Sequence, residues 1–536
     1  MTHSNQDLLR TIFRNSFWST FTSVASPILV FLFGGLTIRY VGVEAAGFSM
    51  VVGSILGIAA QFGTLGIGDA ILPAMAAAIG GGERERLRRL IGTLFLAAVV
   101  SSCVTAAALV TFARPLVTWT RTSVPFPVAT TFIAISAAST IVGSLSGSMM
   151  NILRAASRHD LVTKTVLPLS FLSGIAGCIL VPLFPSLMTV ALIGCCSSLL
   201  NLPIFFALAR RIVPETVQPA FSLAEIPSLA RYGFWISLTR ILSAMLGGID
   251  DLVLTASCGA AAVPPWSICK KILLTVHTFL SQHTEHLIPT LGTVHEKSRQ
   301  TFDSISAAMH WYVVVVGAAG YTFVAWAGPA VVAAAAGEKV AALCEIPLSA
   351  FSVCGFALAL NIIPVISAMA LTDAKPGFLV SLFNNISMLS ALVLLVRTMG
   401  VPAAYYAPLF AVPFLVAAVG ASSSRLLDPG LARRRLQPVL VPVACGLAGV
   451  AASLVVPVTL TLMQRAVVGV CLAPVMIALV ILIEHLLGIN GQAHRQLLRV
   501  IRHALEIVFG LPRAFLGRLS PGSLGDSLPA DRHKTI

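Results

Sequence analysis

The chain has 536 residues, of which 57% are hydrophobic and 10% charged, with a formal net charge of +14. Soluble globular chains carry about 25% charged residues, and no soluble core needs this much apolar surface. That excludes a soluble enzyme and makes nucleic acid the wrong partner for the positive charge. The class is an all-α integral membrane protein.

The opening "MTHSNQDLLRTIFRN" leads straight into an apolar run without a small-residue cleavage site, so the first helix is expected to be retained. Apolar segments of about 20 residues, the length that crosses a bilayer, lie at 15–38, 44–66, 89–112, 127–150, 164–184, 186–208, 232–256, 263–288, 307–335, 346–370, 376–397, 401–421, 438–459 and 466–487. This predicts fourteen spans. Between the second and third, "LGIGDAILPAMAAAIGGGERERLRR" (65–89) reads as an interfacial helix, a turn and a basic cluster. After the last span, Leu498, Ile501, Leu505 and Val508 share one helical face, and Arg495, Arg499, Arg502 and Glu506 the other. Such a helix is expected to lie on the anionic inner leaflet. The final "SPGSLGDSLPADRHKTI" has the composition of a disordered tail.

With the N-terminus cytoplasmic, 26 of the 35 Lys and Arg fall on the cytoplasmic side. Six are external (Arg39, Arg114, Arg121, Lys339, Arg397 and Arg465), and three, Arg240, Lys270 and Lys271, fall within spans. This bias predicts both termini inside and points to a bacterial inner membrane. The ten cysteines lie mostly alone in apolar spans, with no CxxC, and read as small packing residues.

An internal repeat organises the spans. "RNSFWSTFT" from Arg14 is matched by "RYGFWISLT" from Arg231, 217 residues later. At the same offset, without gaps, Thr22 meets Thr239, Ser26 meets Ser243, Gly42 meets Gly259, Ala45 meets Ala262, and Ile55-Leu56 meets Ile272-Leu273. Six spans separate the two copies, so both start on the same side, and a site is expected between them near the midplane. The predicted units are an N-terminal lobe (1–211, spans 1–6), a C-terminal lobe (212–424, spans 7–12), spans 13–14 (425–490) as an appendage, and a cytoplasmic basic helix and tail (491–536).

Charge within spans marks the candidate site. Arg240 lies about 13 Å into span 7 at 1.5 Å per residue. Ser243, Gly247 and Asp251 follow within about 60° of it and Asp250 about 80° away, so this face is a seam or a wet cavity wall. On span 8, Lys271, Thr275, Thr278, Gln282 and Glu285 share one stripe, and Lys270, His277, Ser281 and Thr284 the neighbouring one. A cation at mid-span costs about 2.5–3.5 kcal/mol against lipid. Two readings account for the charge: Arg240 pairs with a carboxylate to hold spans 7 and 8 together, or Arg240, Lys270 and Lys271 line a cationic chamber for an anionic substrate. Asp250, Asp251 and Glu285 are candidates for coupling or gating, with a cap or ion pair as the plainer role for the aspartates. The histidines of "HTFLSQHTEH" (277–286) lack the spacing of a metal motif, so neither a metal nor a cofactor is expected.

The stretches "RYVGVEAAGFSM", with Gly42, Glu44 and Gly47, "FGTLGIGDAI", and "GGIDDLVLTASCGAAAVPPWSICKKIL" resemble the polysaccharide transporter branch of the multidrug/oligosaccharidyl-lipid/polysaccharide exporter superfamily, the Wzx-type flippases. The resemblance covers spans 1–12; "PPW" at 264–266 departs from it, where a Gly and an aromatic are more usual. It implies two six-helix lobes related by pseudo-two-fold symmetry, a central and often cationic cavity, and flipping of undecaprenyl-diphosphate-linked oligosaccharide by alternating access. Arg240, Lys270 and Lys271 would meet the diphosphate; Arg14 would meet it at the cytoplasmic mouth or, as its plainer role, anchor the topology, and polysaccharide polymerase and export proteins would be the partners. A lipid II-type flippase and a multidrug antiporter are the nearest alternatives, though a cationic chamber disfavours organic cations. A membrane glycosyl-polymerase or ligase would need a sizeable external loop with catalytic residues. The longest one here, about 113–126, has no acidic residue or His.

Overall fold

The computed structural model describes residues 28–64, 67–156, 158–220, 248–285, 291, 299–371, 375–426, 429–455 and 461–486. Among the described residues every regular element is helical. Helices α1 (Ile28–Val41) and α2 (Val43–Thr64) meet at Gly42, whose φ of +102° is a conformation that costs glycine little. The interfacial helix α3 (Ile67–Gly80) turns into α4 (Arg84–Thr111), followed by the short α5 (Ala113–Trp119). Then come α6 (Phe126–Ala155), α7 (His159–Leu183) and α8 (Leu187–Ile212). Ser186 starts α8 by accepting the Met188 N–H at 3.0 Å, the usual serine N-cap.

The second half repeats this plan. Helix α9 (248–258) turns at Gly259, φ +83°, and a 3-10 segment (Ala260–Ala262) leads into α10 (Val263–Glu285). Helices α11 (Arg299–Ala336), α12 (Glu338–Ala359), α13 (Ile362–Ala370) and α14 (Lys375–Met399) follow, then α15 (Val401–Ala404), a 3-10 turn (Ala407–Ala411) and α16 (Val412–Leu426). Helices α17 (Pro429–Val455) and α18 (Leu462–Leu486) end the described chain. At the sequence offset noted above, Gly42 falls on Gly259, Thr120 on Gly337, and Leu183 on Gly400. All six stand at or beside the turn between two helices.

Eight described helices are long and apolar enough to cross a membrane, and four shorter apolar ones are Ile28–Val41, Val43–Ala59, Ala407–Val419 and Leu440–Ser453. The chain is a multi-pass membrane protein. Two predicted spans are broken. Span 10 becomes α12 and α13, because Asn361 donates its amide to Ala357 O (3.1 Å) and to Leu415 O of α16 (3.0 Å), competing with the helix's own ladder. Span 12 becomes three pieces around Pro402, Pro408 and Pro413. Helix α10 is long enough to span but lies outside the apolar set, because of the polar stripe that carries Lys270 and Lys271.

Packing separates a core in the first half from one in the second. Ile71, Leu90, Ile152 and Phe205 join α3, α4, α6 and α8, while Phe48, Val52, Leu109 and Ile133 join α2, α4 and α6. The second core centres on α11 to α13: the apolar windows within Ile305–Ala336 and Glu338–Ala370 are 78% and 72% buried, against 11% within Leu161–Leu183 of α7. Helices α17 and α18 pack closely on this core. Gly446 lies against Phe356 and Ala318, Gly449 against Thr322, and Gly469 against Ala327, the small-residue contacts by which membrane helices approach. Arg465 adds an ion pair to Glu345 at 3.3 Å.

Contacts between the halves gather at one end. Gly35 of α1 lies on Ala335 of α11, and Arg39 donates to Ala334 O at 3.5 Å. Ala260 donates its N–H to Thr120 O at 3.0 Å. Phe31, Ile38, Ala46 and Val51 of α1 and α2 join the second half's core. This is the end that the Lys/Arg bias predicts to be external.

Candidate functional site

Helices α9 and α10 fold back on each other around Gly259, so residues 16 to 20 apart in sequence meet. Asp250 and Asp251 are 1% and 3% exposed. A buried charge must be paired and hydrogen-bonded, and each carboxylate here is. Lys270 Nζ reaches both oxygens of Asp250 at 2.8 Å and Asp251 Oδ1 at 3.4 Å. The Trp266 indole N–H donates to Asp250 Oδ2 at 2.6 Å. Ser267 donates to Asp251 Oδ1 at 2.8 Å, and Ser54 of α2 donates to Asp251 Oδ2 at 2.7 Å. The Trp266 ring is held edge-on by Phe351, with ring centroids 4.7 Å apart.

The neighbouring lysine differs. Lys271 is turned about 100° from Lys270 on the same helix and lies about 12 Å from its start. It is half-buried, and among the described residues no group stands within hydrogen-bond or ion-pair distance of its ammonium. Thr275, on the same stripe, donates to Lys271 O at 2.8 Å, so its hydroxyl is committed to its own helix. The cluster thus holds two carboxylates and one ammonium in close contact, with the Lys271 ammonium beside it.

The site residues expected from sequence are therefore divided. The structure brings together Asp250, Asp251 and Lys270, with Lys271 beside them on the next face of α10. Between spans 7 and 8 it is Lys270 that ties to the carboxylates. Arg14 and Arg240 lie outside the described residues, as does the C-terminal amphipathic helix, and so does the side chain of Glu285 at the end of α10. Sequence reading missed Ser54, Trp266 and Ser267. Trp266 had a signal only by position, because it ends the "PPW" stretch that departs from the family's pattern. Ser54 had none, lying 197 residues from its partner.

The family model for polysaccharide biosynthesis proteins matches residues 12–295. The chain belongs to that family. Among solved structures, this polysaccharide biosynthesis protein is similar to the lipid II flippase MurJ in an inward closed conformation (TM-score 0.68, 12% identity, 88% of this chain and 99% of that one). It is also similar to an inward-facing multidrug resistance MATE transporter of the MOP superfamily (TM-score 0.60, 12% identity, 82% and 99%). A third is the Vibrio cholerae MATE transporter VcmN (TM-score 0.54, 18% identity, 79% and 98%). At these identities the likeness is one of fold. No curated protein matches by sequence. Family and fold together make the protein a polysaccharide biosynthesis protein with the fold seen in the MurJ flippase and in MATE transporters.

Proposed function

We propose that the protein flips undecaprenyl-diphosphate-linked oligosaccharide, an O-antigen or exopolysaccharide repeat unit, across the bacterial inner membrane by alternating access, with both termini in the cytoplasm. The observation that supports this reading is the Lys271 ammonium, about 12 Å into α10, which no described residue meets in a hydrogen bond or ion pair. Lipid penalises a lone charge there by about 2.5–3.5 kcal/mol, so the position makes sense when an anionic group passes. A lipid diphosphate supplies one. An organic cation would be repelled.

Each charged residue has a role in this reading. Lys271 and Arg240 contact the diphosphate; the Arg240 guanidinium can meet two phosphate oxygens at once. Arg14 receives the substrate at the cytoplasmic mouth. Lys270, neutralised by Asp250, fixes α10 so that Lys271 faces the path. Asp250, Asp251 and Glu285 serve gating or coupling.

Deleting the gene and fractionating lipid-linked glycans by leaflet tests this. Accumulation of the repeat unit on the cytoplasmic leaflet supports flipping. Accumulation of lipid II instead would move the substrate to the cell-wall precursor, the cargo named for the MurJ neighbour. Single repeat units outside the cell would point to a polymerase.

A further inference from the structure

Across the meeting line of the halves, beside the Arg39–Ala334 contact and the Ala260–Thr120 backbone bond, Ser54 of α2 donates to the Asp251 carboxylate of α9 at 2.7 Å. We propose that this bond is the latch that holds the two halves closed on the side away from the cytoplasm, and that Ser267 and Lys270, which stay bonded to Asp251 in either state, let it open without stranding a carboxylate. The proposal rests on the alternating-access reading above, but not on the identity of the substrate.

Helix α2 runs against α9 and the 259–262 corner for about three turns. Its Gly47 lies on Ala260, where an added Cβ would sit 2.0 Å from the carbonyl oxygen. Further along, an added Cβ on Gly248 would sit 3.2 Å from Ser54 Cβ and 3.1 Å from Ile58 Cδ1. Contact this close leaves no room for water between the helices. Asp251 nevertheless sits in the seam rather than behind it, with one oxygen turned to each half: Oδ2 to Ser54, and Oδ1 to Ser267 and Lys270.

This division of partners makes the contact reversible. If all the donors to Asp251 came from α2, separation would leave a buried charge unpaired, which proteins avoid at large cost. Here the two donors on α10 move with Asp251, and Oδ2 becomes open to incoming water. Ser54 can turn its hydroxyl back to a carbonyl of its own helix, as serines in membrane helices do. Closing restores a charge-assisted bond that exists only in the closed state. Such a contact biases an equilibrium without freezing it.

The test uses full-length protein in nanodiscs, with its exposed and half-buried native cysteines replaced by serine. Nitroxide labels go at Phe112→Cys and Leu343→Cys, both exposed positions at the sealed end, one in each half. Pulsed electron–electron resonance then reads the distance between the halves. Ser54→Ala is expected to raise the population of separated halves roughly ten- to hundredfold, the worth of one hydrogen bond to a charged group. Ser54→Thr, which keeps the hydroxyl, is expected to match the parent. Identical distributions for Ser54→Ala and the parent would overturn the latch, as would a Ser54→Thr variant that behaves like Ser54→Ala.

Should Ser54→Ala fail to fold, the pair Ser54→Cys/Gly248→Cys tests the same seam. The bridged form is expected to lose the separated population and transport together, and to regain both on reduction. Transport unchanged with the bridge formed would also overturn the proposal. Label distances need no substrate. If they behave as stated while no lipid-linked glycan moves, the substrate reading fails and the latch stands.

Discussion

Lys270 and Lys271 are adjacent, yet they do opposite things. Lys270 is buried against two carboxylates, and removing it leaves Asp250 charged with only an indole N–H for company. Breaking a buried pair from one side costs about 3–5 kcal/mol, whereas replacing both partners by neutral groups costs far less. Lys270→Met is therefore expected to lower the unfolding temperature of the detergent-solubilised protein sharply. Adding Asp250→Asn should restore most of the loss; a double variant no more stable than the single one would contradict the pairing. Trp266→Phe keeps the ring against Phe351 but deletes a donor to a charged group, for an expected loss of about 1.5–3 kcal/mol in the same melt. Sequence showed that charge lay in spans 7 and 8. It could not show which cation was neutralised, because that depends on how α9 and α10 fold back around Gly259. The helical stripes separated Lys270 from Lys271 by face, and only the fold shows which face meets the aspartates.

At the scale of elements, helix existence was readable from apolar length, and the corners from glycine. The offset that pairs Gly42 with Gly259 pairs two positive-φ turns. What sequence could not give was the interruption of spans 10 and 12. An asparagine amide and three prolines break them locally, while the mean hydropathy over twenty residues stays high. Close helix contact was equally hidden, since Gly47 and Gly53 look alike on paper. An added Cβ meets the Ala260 backbone 2.0 Å from Gly47, and open space at Gly53. Backbone on both sides cannot step aside, so Gly47→Ala must push α2 off the corner, a change expected to cost at least the 1–3 kcal/mol typical of overpacking. Gly53→Ala should leave the melting temperature nearly unchanged. Equal melting of the two variants would refute the close approach of α2 to the 259–262 turn.

For the whole molecule, class, approximate span count and family resemblance were legible because lipid imposes length and apolarity, and the chain carries its family's stretches within residues 12–295. The C-terminal hairpin packs more tightly than its description as an appendage suggested. Its glycines reach the α11–α12 core, a contact between surfaces that hydropathy alone does not distinguish from lipid-facing ones. The halves meet at one end through α1, α2, the 259–262 corner and the end of α11.

Flipping in proteoliposomes is the direct test of Lys271 as the cation that the lipid diphosphate meets. Purified protein, with fluorescently tagged undecaprenyl-diphosphate oligosaccharide in the outer leaflet, is followed by the fraction of tag shielded from an external quencher. Wild-type protein is predicted to equilibrate the tagged lipid between leaflets, and Lys271→Ala, folded and inserted equally well, to slow it by at least tenfold. Wild-type rates from Lys271→Ala, or no flipping by the wild-type protein, would contradict the claim.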